Sequence, residues 1–202
     1  MHTPEGVGVK TSIVILLAAL ITEGLVTIVA CVLWGLFDVE VLWGEPLMSS
    51  IFGLLWVLPL FFGNELLFLF IQRNPSSIFA RFSSEVVIPL CKAVPPVLAL
   101  VLGVLSGFGE ELLFRAVLLP LVTPLTGVYG AILFSSILFA WVHFIGQERT
   151  YGALIPLYTL IGVYFCGIFF IHGSILPAMI CHGTYNFMVI VRTRSRNLRR
   201  AT

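Results

Sequence analysis

The stretch GEELLFR, residues 109–115, places two adjacent carboxylates and an arginine inside an apolar run that extends from Val94 to Leu125. A charged side chain at the centre of a membrane helix costs from about 2.5 to more than 10 kcal/mol, so it normally faces the bundle interior and has a function. Arg115 follows Glu111 by four residues, so the two share a helix face and can pair. Glu110 points about 100° away from Glu111. Glu110 is therefore the carboxylate without a partner in its own helix.

The composition around this stretch is that of a membrane protein. Of the 202 residues, 59% are hydrophobic and 10% are charged, whereas a soluble domain carries roughly 25% charged residues. The mean hydropathy is +1.07, and several apolar runs have the ~18 residues or more that a transmembrane helix needs. The sequence therefore predicts an all-α polytopic membrane bundle of about six transmembrane helices, or seven to eight, with the active site in a cavity between helices.

The apolar runs place the expected spans at 11–36, 50–71, 96–119, 127–145, 151–171 and 175–191. Residues 76–90 are expected to form an amphipathic helix at the membrane interface. Pro120 and Pro124 are expected to end the third span, because proline interrupts a helix.

Charge at the ends of the spans predicts the topology. The last eleven residues contain five arginines: Arg192, Arg194, Arg196, Arg199 and Arg200. Such a tail could bind nucleic acid, but beside a membrane span it is more simply a cytoplasmic signal, so no nucleic-acid partner is expected. With six spans both termini are cytoplasmic, the basic 73–92 loop lies on the same side, and the acidic 38–45 loop lies opposite. We expect a multi-pass protein of a prokaryotic cell membrane.

Two of the four histidines lie in apolar spans. His143 follows Phe139 by four residues and His182 precedes Asn186 by four, so each pair shares a helix face. A lone buried histidine is more often a core residue than a catalyst. Here two histidines on separate spans accompany an unpaired glutamate on a third, and unsatisfied polar groups in lipid are costly. Convergence on one polar site is the simpler explanation.

These residues carry a resemblance to a known family. The patterns EExxxR at 110–115, FxxxH at 139–143 and HxxxN at 182–186 resemble the three signature motifs of the CAAX-protease and bacteriocin-processing family of intramembrane endopeptidases. One such motif is weak, but three in the same order and the same membrane setting are specific. The matching region is about 97–191. Ala116 stands where many members have glycine, a difference that affects packing rather than chemistry.

The resemblance implies a hydrolase that cleaves a peptide bond near the C-terminus of a membrane-associated substrate. This substrate is a protein or peptide, with or without a lipid modification, and membrane lipid surrounds the site. The chain then divides into an N-terminal membrane region with two spans and an interfacial loop (1–93), a catalytic membrane core (94–191) and a basic cytoplasmic tail (192–202).

The residue types suit this chemistry. A glutamate beside a histidine can remove a proton from water, so we predict Glu110 as the base and His143 as its partner. The oxyanion of the tetrahedral intermediate needs fixed donors in a dry site, and the His182 ring and the Asn186 amide are the candidates. Three side chains are expected to support these four: Glu111, Arg115 and Phe139.

Other functions stay open at this point. Glu110, His143 and His182 also make a His2Glu zinc set with an open position, although the His-Glu-x-x-His pattern is absent. We expect no cofactor, with a zinc-dependent protease as the alternative. A non-catalytic scaffold or self-immunity protein and a proton-coupled transporter are two further classes. Glu23 is either a packing hydrogen-bond donor or acceptor or part of the site, and Glu65 has no predicted role.

The expected spans contain one conflict. They place His143 near the cytoplasmic end of its span and Glu110 past mid-membrane, a depth gap of more than ~10 Å at ~1.5 Å per residue. We therefore expect the third helix to begin before it meets lipid. We also expect the fourth to continue past Gly146 towards Thr150, around a wide cavity that opens to the cytoplasm.

Overall fold

A computed structural model of the protein describes residues 9–199, with Val9 and Arg199 described by their backbone alone. Within this range the chain is helical and contains no strand, so the predicted all-α class is confirmed. The helices are α1 Val9–Phe37, α2 Pro46–Arg73, α3 Ile78–Phe82, α4 Ile88–Ala93, α5 Pro96–Glu111, α6 Leu119–Val142, α7 Ile155–His172 and α8 Leu176–Arg199. Two π-helical turns, Ser83–Val87 and Leu112–Leu118, join α3 to α4 and α5 to α6, and a 3-10 turn, Arg149–Leu154, precedes α7. Arg200 of the predicted tail lies outside the described residues.

In the described chain, four segments are long and apolar enough to cross a membrane. They are Lys10–Phe37, Pro46–Arg73, Pro96–Val142 and Arg149–His172. The third has 47 residues and bends at Gly127, where φ is 71° and ψ is 169°, so it contains two of the predicted spans. The sixth predicted span lies in α8, whose arginine-rich end lowers its hydropathy. The polytopic helical bundle is confirmed, while the count of six and the side on which the termini lie stay predictions.

The two prolines of the third span do not end it. The helix runs through Pro120 and Pro124 and bends at Gly127. The Thr123 hydroxyl donates to the Leu119 carbonyl at 2.7 Å, and side chains of this kind help membrane helices to tolerate proline. The expected boundary was placed too early because proline in a membrane helix can be accommodated by its surroundings.

The fourth helix ends at Val142, so the expectation that it continues past Gly146 is wrong. His143 caps it with φ −68° and ψ −19°, and Gly146 has a φ of 78°, the left-handed conformation that terminates helices. The predicted depth gap between Glu110 and His143 is instead removed by the preceding helical segment, which is longer than expected. Residues 96–126 form one long helical segment, and Glu110 lies near its middle.

Glycines bring α8 against α5. A Cβ at Gly103 would lie 2.6 Å from the Gly183 carbonyl oxygen, and one at Gly107 would lie 2.5 Å from the Met179 carbonyl oxygen. Both distances are too short for a side chain, so only glycine permits this approach of the two backbones. The contact sets the inner face of α8 directly beside the glutamate pair of α5.

A third glycine brings α1 against the same part of α5. A Cβ at Gly109 would lie 2.3 Å from Thr27 Oγ1 and 3.0 Å from Thr27 Cα. The Thr27 hydroxyl donates to the Glu23 carbonyl at 2.9 Å, one helical turn earlier. The contact therefore fixes the register of α1 so that Glu23 and Glu110 occupy the same level of the bundle.

Ion pairs at one end of the bundle tie the elements together. Arg192 and Arg196 at the end of α8 both pair with Glu65 of α2, Arg192 at 2.7 Å. Residues 78–93 are helical, and the Tyr151 hydroxyl donates to Glu85 in this segment at 2.6 Å. Its position at the membrane interface stays a prediction.

Candidate active site

A cavity of about 390 Å³ lies between the helices. The structure brings all four predicted catalytic side chains into its wall: Glu110, His143, His182 and Asn186. Further polar groups in the wall are Glu23, Asn64, Ser106, Tyr158, Tyr185, Thr193, Arg196 and Asn197. Most of the remaining lining is aliphatic or aromatic, so the polar groups stand in an otherwise apolar chamber.

Glu110 faces this cavity from α5. Its Oε2 lies 3.7 Å from His143 Nε2 and is buried without a hydrogen-bond partner. His143 Nδ1 lies 2.7 Å from the Phe139 carbonyl oxygen. A carbonyl can only accept, so Nδ1 carries a proton, and in the neutral ring Nε2 presents its lone pair towards Glu110. Two proton-accepting atoms are thereby aimed at the same point.

Glu111 points to the other side of the helix and is fully buried. Its Oε1 accepts from Arg115 at 2.9 Å and lies 2.7 Å from His182 Nδ1. The pairing with Arg115 predicted from the four-residue spacing is present. Arg115 also donates to the Gly162 carbonyl of α7 at 3.0 Å. The ion pair therefore connects α5, α7 and α8.

Aromatic rings enclose the charged centre. The guanidinium carbon of Arg115 lies 4.5 Å from the ring centroid of Phe139 and 5.3 Å from that of Phe165, distances typical of cation–π contacts. Phe165 also stacks on His182 with centroids 4.6 Å apart, and Phe139 lies 4.7 Å from the His143 ring. Phe139 thus contacts both the ion pair and a predicted catalytic histidine.

Hydrogen bonds hold Asn186 and His182 in place and leave each side chain with one nitrogen position free for a ligand. Asn186 Nδ2 donates to Ser106 Oγ at 2.8 Å, and Ser106 donates to the Gly103 carbonyl at 3.2 Å. One amide N–H of Asn186 remains. The Nδ1 of His182 donates to Glu111, so only its Nε2 can serve a ligand in the cavity. That nitrogen donates when the ring carries both protons.

Residues 92–188 match the family model of the type II CAAX prenyl endopeptidase, Rce1-like. This region of the chain is similar to that family. The resemblance inferred from the three motifs is thereby confirmed. No curated protein and no solved structure shows a match. The CAAX endopeptidase family and the apolar helices together support an integral membrane endopeptidase that acts on a protein or peptide in the membrane.

Several contacts of the candidate site are not visible in the sequence. Ser106 precedes Glu110 by one turn, and this spacing could have indicated a residue on the same side of the helix. Phe165, Gly162 and Tyr158 depend on how α7 packs, and no sequence signal indicates them. Tyr158 lies with its ring centroid 5.1 Å from that of His143.

The donor geometry of the candidate site bears on the zinc alternative. Among residues 9–199, no group of three His, Cys, Asp or Glu side chains is placed to hold a metal ion. Of the predicted zinc set, His182 commits one ring nitrogen to Glu111. Glu110, His143 and His182 are therefore not placed as a ligand set in this structure, and the proposed steps involve no metal.

Proposed function

We propose that this protein is an intramembrane endopeptidase that hydrolyses a peptide bond near the C-terminus of a membrane-associated protein or peptide. One observation carries the proposal. Glu110 faces the cavity with His143 Nε2 at 3.7 Å, while its neighbour Glu111 is committed to Arg115 and His182. The match of residues 92–188 to the CAAX endopeptidase family model supports the reaction class.

Water activation is the first step. A water molecule that hydrogen-bonds Glu110 Oε2 and His143 Nε2 would lie between two proton acceptors. Glu110 takes one proton as the water oxygen attacks the carbonyl carbon of the scissile peptide bond. The attack forms a tetrahedral intermediate and moves one negative charge onto the former carbonyl oxygen.

Stabilisation of that oxyanion is the second step. The free N–H of Asn186 and the Nε2–H of a doubly protonated His182 are the two donors on this face of α8. The carboxylate of Glu111 lies 2.7 Å from Nδ1 and orients the ring. Because hydrogen bonds and aromatic stacking already hold both donors in place, they need no reorganisation as the charge develops.

Collapse of the intermediate is the third step. The C–N bond breaks, and the proton held by Glu110 passes to the leaving amine. The products are a new carboxyl terminus and a free amino terminus, and Glu110 is again an unprotonated base. No covalent intermediate is needed, and Ser106, the hydroxyl nearest along α5, is engaged by Asn186 and Gly103.

The polar groups also bear on the other predicted classes. A proton-coupled transporter needs polar residues spaced along a path, whereas these converge in one cavity. A scaffold or self-immunity protein needs neither a general base with a histidine partner, such as Glu110 and His143, nor donors for an oxyanion. Both features favour an enzyme.

The test is proteolysis by the purified protein in lipid nanodiscs. Peptides with free C-termini, prenylated and unprenylated, are incubated with wild type and with Glu110→Gln, and products are identified by mass spectrometry. Wild type should release C-terminal fragments and the variant should release none. Equal cleavage by both proteins would contradict the proposal. Loss of cleavage on chelation, restored by Zn²⁺ alone, would instead establish the zinc-dependent alternative.

We also propose that both termini are cytoplasmic, in a prokaryotic cell membrane, from the arginine-rich tail and the loop charges. A reporter fused after Thr202 should be active in the cytoplasm. Activity on the opposite side would overturn this orientation.

A further inference from the structure

Glu23 is a second carboxyl in the wall of the catalytic cavity, and the steps above do not use it. Its side chain lies within hydrogen-bonding reach of Glu110. In each of these residues Oε2 is buried and receives no hydrogen bond from a nitrogen or hydroxyl donor. The two glutamates, from α1 and α5, thus meet at a point where no other described group donates a hydrogen bond to their Oε2 atoms.

The backbone holds this juxtaposition in place. Gly109 precedes Glu110 directly, and a Cβ there would collide with Thr27, one turn beyond Glu23. The Thr27 hydroxyl is in turn bonded to the Glu23 carbonyl. Since helix-to-helix contact rather than a flexible loop sets the distance between α1 and α5, the approach of the two carboxyls is a built feature of the fold.

Two carboxyls can hydrogen-bond each other only if one of them carries a proton, because an ionised carboxylate has no donor. The proposed function requires Glu110 to be ionised, so the shared proton belongs to Glu23, and none of the nearby cations in the described chain pairs with Glu23. Arg115 is paired with Glu111, and the arginines at the cavity mouth are paired with Glu65. From α4, Cys91 lines the same cavity, and Lys92 is exposed. None of these supplies a cation to Glu23.

We propose that Glu23 is a positioning residue for the catalytic base: its protonated carboxyl donates to Glu110 and holds it in the rotamer that faces His143. The inference rests on the proposed function, because it gives Glu110 the role of base. It requires a donor at position 23 and not a negative charge there. A glutamine at this position should therefore replace the glutamate, and an apolar side chain of similar size should not.

The kinetic test compares Glu23→Leu with Glu23→Gln on a peptide that wild type cleaves. Glu23→Leu should lower kcat by about 10- to 100-fold, the effect of losing a hydrogen bond to a charged group, with KM and melting temperature unchanged. Glu23→Gln should instead keep kcat near the wild-type value, since the glutamine amide can donate a hydrogen bond to Glu110. Thr22→Val, on the exposed side of α1, is the matched control and should have no effect. Unchanged kcat in Glu23→Leu, or equal loss in both variants, overturns the inference while the proposed function stands.

Infrared spectroscopy tests the proton without any substrate. At neutral pH the wild-type protein should show the C=O stretching band of a protonated carboxyl group. This band should disappear in Glu23→Gln and persist in Thr22→Val. A wild-type spectrum without such a band, or one that Glu23→Gln leaves unchanged, overturns the inference even if no peptide substrate is found.

Discussion

Glu110 and Glu111 are neighbours in the chain, yet they lie in two differently built regions of the molecule. On one side of α5, Glu111 accepts hydrogen bonds from an arginine and a histidine and is completely buried. On the other side, Glu110 faces a cavity, with His143 Nε2 3.7 Å from its Oε2 and the Glu23 carboxyl beside it. A carboxylate paired with a buried arginine and a histidine holds helices together, whereas one that faces a cavity remains free to react.

The largest expected effect separates the two regions by activity. Glu110→Gln should lower kcat by about 10²- to 10⁴-fold, the range for loss of a general base, because the amide fills the same space but accepts no proton. The melting temperature in detergent should match that of wild type. A variant that retains full activity would show that the reactive carboxylate lies elsewhere.

The stability of the folded protein should depend on Glu111 and not on Glu110. Glu111→Gln leaves Arg115 buried without its counter-charge, and breaking a buried pair costs ~3–5 kcal/mol. Thermal unfolding should therefore begin at a clearly lower temperature than in Glu110→Gln. Activity should fall as well, since His182 loses its acceptor. Identical melting temperatures for the two variants would remove the distinction drawn between the carboxylates.

The comparison is sharpened by the oxyanion donors. Asn186→Ala should lower kcat by about 10²- to 10³-fold, as for loss of one oxyanion donor. Ser106→Ala should lower it by only about 2- to 10-fold, because it removes one neutral hydrogen bond that orients Asn186. The double variant should be no slower than Asn186→Ala alone, since Ser106 acts through Asn186. Additive losses would show an independent role for Ser106.

A surface carboxylate gives the smallest effect and a contrast to both. The hydrogen bond from the Tyr151 hydroxyl, aided by Arg81, holds the pKa of Glu85 below its usual range. A lowered folded-state pKa contributes stability above the ordinary glutamate value of ~4.3, and this contribution is lost as pH falls through the folded-state pKa.

We therefore expect a small difference in melting temperature between wild type and Glu85→Gln at pH 7. This difference should shrink as the pH is lowered below about 4. In a Tyr151→Phe background, the difference in melting temperature caused by Glu85→Gln should also be smaller. A difference that stays constant across this pH range would show that the ionised form of Glu85 makes no contribution to stability.

The sequence predicts those parts of the site that lie within single helices. The four-residue spacing of Glu111 and Arg115 predicts their pairing, and the same argument leaves Glu110 free. The contacts of His182 with Glu111 and of Asn186 with Ser106 join helices far apart in the chain, and no local spacing encodes them. The end of the third span was misplaced for a related reason. Whether Pro120 interrupts a membrane helix depends on its surroundings as well as on its own ring.

The position of Glu111 and Arg115 within one helix also has a consequence for how the protein is made. A single charged side chain, such as arginine or aspartate, raises the free energy of inserting a helix through the translocon by about 2.5–3.5 kcal/mol. Four residues apart, the two side chains of the third span can neutralise each other inside the nascent helix. The span can then enter the bilayer before α8 is synthesised, and His182 arrives later at a carboxylate that is already in place.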